Sequence, residues 1–356
     1  MPSFTVFKGS ESGELKKATT TRPDELSGDQ VFVRITASGV CGTDLHYVCK
    51  PILTRSWHRS RAYITNWITQ RKADMVLGHE GIGVVEKTGP DCKVVKVGDR
   101  VGWGYNHGFC GHCQQCLTGN DIYCPERQMF GDADLDQGSF GSHAVWRELA
   151  LFKIPDNISD EDAAPLQCAG ATVFTALYDY GLKSTETVGI MGVGGLGHLA
   201  IQFAAKMGCR VVVLSGSESK KEEAMRLGAH EFIATKGKKK LEVSHPLDRL
   251  LVTTSFLPDW QLLIDIMAPR AVVFPLSVSS EKFEFPYMPM IVNGLTVQGT
   301  VTASKRVHER MLEFASLHQI KPVVERFPMT EEGISQALDR LDKGNIHFRA
   351  VLKPVA

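Results

Sequence analysis

Residues 187–214 leave this chain few ways to fold. Thr187-Val188-Gly189-Ile190-Met191 is short and apolar, the pattern of a buried strand. It runs directly into Gly192-Val193-Gly194-Gly195-Leu196-Gly197, then into an apolar helical stretch over residues 198–207. A second strand, Arg210-Val211-Val212-Val213-Leu214, follows. Strand, Gly-x-Gly-x-x-Gly, helix and strand is the setting that turns a weak motif into a strong one. Gly192 permits the tight turn, Gly194 lets the backbone approach a pyrophosphate, and Gly197 packs helix on strand. The helix N-terminus then faces the phosphates. A glycine-rich crossover that holds no ligand is the plainer alternative.

The end of the second strand reports on the nucleotide. A site for NAD usually places Asp or Glu there, on the ribose hydroxyls. Here the stretch is Ser215-Gly216-Ser217-Glu218-Ser219-Lys220-Lys221, with no acid at the strand tip. Small hydroxyls followed by two lysines suit the 2′-phosphate of NADP. Against this, Glu218 is acidic, and the lysines are equally at home as solvated residues opening a helix over 221–227. Further strands are expected at 248–253 and 271–276, a closing segment at 296–301, a helix at 305–318, and a strand at 350–353 returning to the first domain. Lys236-Gly237-Lys238-Lys239-Lys240 reads as an exposed turn.

The N-terminal part has a different texture, with short β runs and frequent glycine. Residues 30–37 alternate apolar and polar side chains as a half-buried strand does. That strand delivers Cys41-Gly42-Thr43-Asp44-Leu45-His46 at its end. A thiolate is a strong zinc ligand, a carboxylate can orient a histidine ligand, and a hydroxyl with an imidazole can carry a proton away. Alone, the hexapeptide is equally a polar turn. Two later stretches add to it: Gly78-His79-Glu80, and Leu166-Gln167-Cys168-Ala169-Gly170-Ala171-Thr172. Cys41, His79 and Cys168 make a zinc site with three protein ligands and one open position, the arrangement of a catalytic metal.

Cys110, Cys113, Cys116 and Cys124 have the spacing C-x2-C-x2-C-x7-C. Four thiolates so close in sequence can surround one tetrahedral zinc with no open position. An iron–sulfur cluster takes the same four ligands. The lobe has little apolar content, so a metal must hold it; a structural zinc supplies on the order of 10–16 kcal/mol.

Size and charge narrow the function classes. The 356 residues suffice for two domains. Forty basic and forty acidic residues give no electrostatic reason to expect nucleic acid or an anionic membrane. Nine cysteines, an odd number behind a start without a secretory signal, argue for metal ligands in a cytoplasmic protein.

Taken together these motifs resemble the zinc-dependent medium-chain alcohol dehydrogenases, and within them the NADP-dependent cinnamyl alcohol dehydrogenase group. The resemblance implies an α/β chain: a GroES-like β-rich catalytic domain over 1–155 plus 300–356, and a Rossmann doubly wound parallel sheet over 156–299. It implies Cys41, His79 and Cys168 on a catalytic zinc, with Glu80 beside it and able to exchange with a ligand. Thr43 and His46 match the proton relay, and Asp44 the carboxylate behind the metal. Cys110, Cys113, Cys116 and Cys124 hold the second zinc. Thr172, the loop Gly192, Gly194, Gly195, Leu196 and Gly197, then Ser215, Ser217, Lys220, Thr253, Gly299 and Val301 match cofactor contacts.

The activity implied is reversible hydride transfer between NADP(H) and a primary alcohol or aldehyde. Trp57, Trp103 and Phe130 are candidates for an aromatic-friendly pocket, although each is as readily core or surface. A homodimer or homotetramer is the family habit. An NAD-dependent polyol dehydrogenase and a catalytically silent dinucleotide-binding protein are the rivals. Two features depart from the pattern. Position 252 is Val where an acid is frequent. The interval between His46 and His79 is long, with residues 49–70 as the excess. That stretch is read as a loop over the substrate mouth or as a translated intron.

Overall fold

The computed structural model describes residues 3–10, 13–48, 74–279 and 282–355. The atypical stretch 49–70, with Trp57 in it, lies outside the described residues. The chain divides into two compact units. One comprises Met1–Cys168, Ser304–Ser316 and Pro322–Ala356; the other comprises Ala169–Ala303 and Leu317–Lys321. The division placed at 155/156 by the sequence thus falls at Cys168/Ala169.

The first unit is built on a seven-stranded mixed sheet. Its order is Val324–Pro328, Arg349–Lys353, Gln30–Val40, Glu80–Thr88, Arg100–Trp103 and Phe152–Lys153, with His143–Arg147 also paired to Gln30–Val40. The C-terminal strand returns as expected, pairing Ala350 with Val40. Strand Gln30–Val40 runs eleven residues and is bulged at two places, where the register to Glu80–Thr88 slips. Such bulges bend and twist a strand, which lets one long element serve a curled, barrel-like sheet. Val31, Val33, Ile35, Trp103, Phe140 and Trp146 fill the core.

The second unit carries six strands, all parallel, in the order Glu231–Ala234, Arg210–Ser215, Thr187–Met191, Leu247–Val252, Met267–Pro275 and Thr296–Val297. Counted from Thr187 this is 3-2-1-4-5-6, the dinucleotide-binding order, with its crevice beyond the carboxyl ends of the first and fourth strands. Strand Thr187–Met191 is buried throughout, as a central parallel strand must be. The segment expected at 296–301 pairs only at its first two residues. The helix Lys305–His318 stands where it was expected. Among the described residues no helix is long and apolar enough to cross a membrane.

Candidate active site

Antiparallel pairing of Gln30–Val40 with Glu80–Thr88 sets Gly39 opposite Glu80. The end of one strand therefore lies beside the start of the other, and Cys41 comes next to His79 and Glu80. Cys41 caps the short helix Gly42–Tyr47. Asp44, wholly buried, is the hub. Its Oδ2 accepts the Cys41 N–H at 2.9 Å, while Oδ1 accepts the Gly78 N–H at 3.2 Å and faces His79 Nδ1 at 3.3 Å. That bond fixes the ring and leaves its other nitrogen for a ligand role. His79 Nε2 is buried with no hydrogen-bond partner among the described residues. A buried polar atom without a partner is costly, and a ring nitrogen of His79 lies within 4.8 Å of the donor atoms of Cys41, Glu80 and Cys168.

Cys168 arrives from far along the chain. Ser159 caps the helix Asp160–Pro165 by accepting the Asp162 N–H at 3.1 Å. That helix packs on Gln30–Val40 and Glu80–Thr88. It opens into a π turn, Leu166–Gly170, and Cys168 sits in its middle. No local residue pattern marks this turn, a kind frequent at functional sites. A hydrogen bond from the Cys168 thiol, opposed by burial, holds Cys41 well below the ordinary thiol pKa. Cys168 is pushed up by the same bond. Two cysteine sulfurs, an imidazole and a carboxyl group in one dry site form a donor set for a soft divalent ion.

Glu80 is also wholly buried, and Arg349 donates to both its carboxylate oxygens. Burial pushes Glu80 up to about 7, and the Arg349 charge opposes the rise. A Cβ on Gly39 would fall 1.8 Å from Glu80 Oε2, so only glycine fits opposite it. Arg349 and Gly39 are site residues the sequence reading missed. An arginine heading the apolar run Ala350-Val351-Leu352 was the available signal. Thr43 Oγ1 lies 3.8 Å from Cys41 Sγ. His46 follows on the same helix, its pKa lowered by burial against the Cys41 and Asp44 charges.

The other cysteines gather separately. Sγ separations are 3.6 Å for Cys110–Cys124, 3.5 Å for Cys113–Cys116 and 3.9 Å for Cys110–Cys116. One tetrahedral ion with 2.3 Å metal–sulfur bonds spaces its sulfurs about 3.8 Å apart. A cluster of several irons holds them wider, which weighs against the iron–sulfur alternative. The N–H groups of Cys110 and Cys113 point at neighbouring sulfurs at 3.5 and 3.3 Å, as around a thiolate.

In the second unit the glycine turn is built for its motif. Gly192 has φ +99°, and a Cβ on Gly197 would meet the Gly192 carbonyl at 2.0 Å. Gly194 faces open space. Thr253 does not point its hydroxyl outward; it donates to the carbonyls of Met191 and Gly192, at 2.8 and 3.2 Å, and props the turn. Lys220 Nζ donates to the Val193 carbonyl at 2.7 Å, across the same turn. Glu218 pairs with Lys221 at 3.4 Å. Ser215 ends its strand and Ser217 is exposed, 2.8 Å from Ser219. Gly195 and Leu196 complete the turn, Thr172 lies in the helix Ala171–Tyr178, and Gly299 accepts from Tyr180. Val301 is exposed. Trp103 and Phe130, offered as pocket candidates, are core: Trp103 is wholly buried beside Trp146, and Phe130 packs under His79.

Known proteins resemble this chain in sequence and fold. Residues 27–156 match the model of the alcohol dehydrogenase GroES-like domain, and residues 195–316 that of the zinc-binding dehydrogenase domain. An alcohol dehydrogenase of Geobacillus stearothermophilus is 34% identical over 92% of this chain and 93% of its own. Cinnamyl alcohol dehydrogenase 8 of Arabidopsis thaliana is 30% identical over 98% and 94%. The solved cinnamyl alcohol dehydrogenase of Sorghum bicolor superposes with a TM-score of 0.84 at 28% identity, covering 99% of this chain and 98% of that one. The chain is an oxidoreductase of the zinc-dependent medium-chain alcohol dehydrogenase family, in the company of the cinnamyl alcohol dehydrogenases.

Proposed function

We propose that this protein reversibly oxidises a primary alcohol to an aldehyde with NADP(H), using one catalytic and one structural zinc per chain. One observation carries the reading. Three donors from stretches as remote as residues 41, 79 and 168 converge, and His79 Nε2 is buried with no hydrogen-bond partner among the described residues. Cys41, His79 and Cys168 would hold the catalytic ion, and Cys110, Cys113, Cys116 and Cys124 the structural one. A zinc so held polarises a carbonyl and lowers the pKa of an alcohol. The nicotinamide supplies the hydride chemistry.

The chain's own residues do the rest. Asp44 orients His79. Thr43 takes the proton of the substrate hydroxyl and passes it to His46, whose lowered pKa keeps the ring neutral and ready to accept it. Glu80, balanced near neutrality against Arg349, is the carboxylate able to exchange with a ligand. The turn of Gly192, Gly194, Gly195, Leu196 and Gly197 takes the pyrophosphate, and Thr253 holds that turn in shape. Ser215, Ser217 and Lys220 receive the 2′-phosphate; the missing acid at the strand tip supports NADP over NAD. Thr172, Gly299 and Val301 complete the cofactor contacts. A homodimer or homotetramer working in the cytoplasm completes the reading. The exposure of Tyr287, Met288, Ile291 and Val292 on one short helix supports such an assembly.

The test is metal analysis together with an aldehyde panel, aromatic members included, assayed with NADPH and NADH. We expect two zinc ions per chain and at least about tenfold higher kcat/KM with NADPH, the worth of one good charge-assisted contact. Equal use of NADH with a polyol would replace this reading with a polyol dehydrogenase. One zinc and no turnover would make the protein a silent nucleotide binder.

A further inference from the structure

Gln167, next to Cys168, is 1% exposed, and both ends of its amide are hydrogen-bonded. Its Nε2 donates to the Ala163 carbonyl at 3.0 Å, which directs Oε1 toward His308 Nε2, also at 3.0 Å. The space for it exists because residues 102 and 104 are glycine. A Cβ on Gly102 would meet the Gln167 side chain at 2.8 Å, and one on Gly104 would meet the Gln167 carbonyl at 2.6 Å. His308 is itself 3% exposed and lies flat on Phe152, ring centroids 3.8 Å apart and 6° from parallel. Burial drives its pKa down to about 3, so the ring is neutral and Nε2–H is the donor.

His308 belongs to the helix Lys305–His318, and the start of that helix is held from the four-cysteine lobe. Asp121, three residues before Cys124 and 5% exposed, accepts the Lys305 N–H on both carboxylate oxygens at 3.0 and 3.1 Å. A helix's first N–H groups lack partners within the helix, so this carboxylate anchors its N-terminus to the lobe.

We propose that Gln167 and His308 are a positioning pair for the π turn carrying Cys168, and that the helix Lys305–His318 ties this turn to the four-cysteine lobe. The inference rests on reading Cys41, His79 and Cys168 as ligands of one ion. The pair fixes where the Cys168 sulfur stands; it touches no substrate. Loss of the bond strands a buried acceptor and lets the turn relax, and loss of Asp121 shifts the helix from its other end.

The experiment is 113Cd NMR of the full-length protein reconstituted with cadmium. A set of four thiolates and a set of two thiolates with an imidazole give separate signals, because the shift follows the number of sulfur ligands. His308→Ala should displace or broaden the signal of the Cys168 set. Cadmium affinity there should fall about tenfold, the lower end for partners behind a ligand. The four-thiolate signal should stay in place. His308→Gln keeps an N–H for Gln167 and should restore the signal. Asp121→Ala should reproduce the displacement at the Cys168 set from a residue in the other lobe. Gln167→Leu cuts the bond from its other side and serves if the alanine protein does not fold. An unmoved Cys168 signal in a folded variant overturns the pair, as does equal displacement of both signals or a glutamine variant as defective as the alanine one. A response to Asp121→Ala confined to the four-thiolate signal overturns the tie to the lobe. If the wild-type protein shows only the four-thiolate signal, the zinc reading falls, and this inference with it.

Discussion

The two donor sets differ in how they are assembled. Cys110, Cys113, Cys116 and Cys124 lie within fifteen residues and are mostly half-buried; they offer nothing but thiols, supported by their own backbone N–H groups. Cys41, His79, Glu80 and Cys168 come from three distant stretches, are almost completely buried, and mix thiol, imidazole and carboxylate. Three of the latter lean on another buried group: His79 on Asp44, Glu80 on Arg349, and Cys168 on a turn packed by Gln167. A closed, locally built set fits a structural ion. A set spread over the core needs the whole unit to hold it, and such donors can be tuned one at a time.

The sharpest way to break this contrast is to remove one thiol from each set. Cys168→Ser should cut turnover by roughly 10³-fold or more, since a Lewis-acid contribution is worth several kcal/mol. Nucleotide binding, followed by fluorescence titration, should stay intact. Cys113→Ser should act on stability first. A lobe that depends on its ion for on the order of 10 kcal/mol should open locally, and limited proteolysis should cut within residues 110–124. Proteolysis at wild-type rates would mean the lobe does not need an ion. A smaller effect is expected behind the mixed set: Asp44→Asn should weaken its zinc affinity about 10- to 100-fold and leave the four-thiolate set unchanged, as competition with a chelator would show. In the nucleotide unit, Lys220→Ala should lower kcat/KM for NADPH about tenfold with NADH little changed. Equal loss with both cofactors would assign Lys220 to the turn it bridges.

The last effect concerns pH. His107 and His308 are held down by burial to about 4 and about 3. The unfolded chain therefore takes up protons below about pH 6.5 that the folded chain refuses, and stability must fall as pH drops from there toward 3–4. Each ring contributes up to about 1.4 kcal/mol per pH unit in that window. Urea unfolding of His308→Gln should show the slope reduced by that amount between pH 4.5 and 6; an unchanged slope would mean His308 is charged in the folded protein.

Much of this was legible in the sequence because it is local. The glycine turn needs only six residues between two strands, and it pointed to the parallel sheet that carries it. The helix over 305–318 and the returning strand over 350–353 were expected and are present. What escaped detection depends on remote neighbours. Nothing near Gln167 marks a π turn, since its partners His308 and the glycines at 102 and 104 are far along the chain. Arg349 reads as a surface charge until Glu80 is seen beside it. Trp103 and Phe130 are aromatic in any reading, and only packing shows that they are core.

Residue order was enough to set the chemistry available: which donors exist, how the four cysteines are spaced, and where a phosphate can approach the backbone. Those are properties of residue type and short-range geometry, where a few dihedral angles fix the outcome. Tertiary structure alone decided that Cys41, His79, Glu80 and Cys168 share one buried site, which charge answers Glu80, and which side chain steadies Cys168. These are meetings between chain segments tens to hundreds of residues apart, and strand register and helix packing, not local preference, select them.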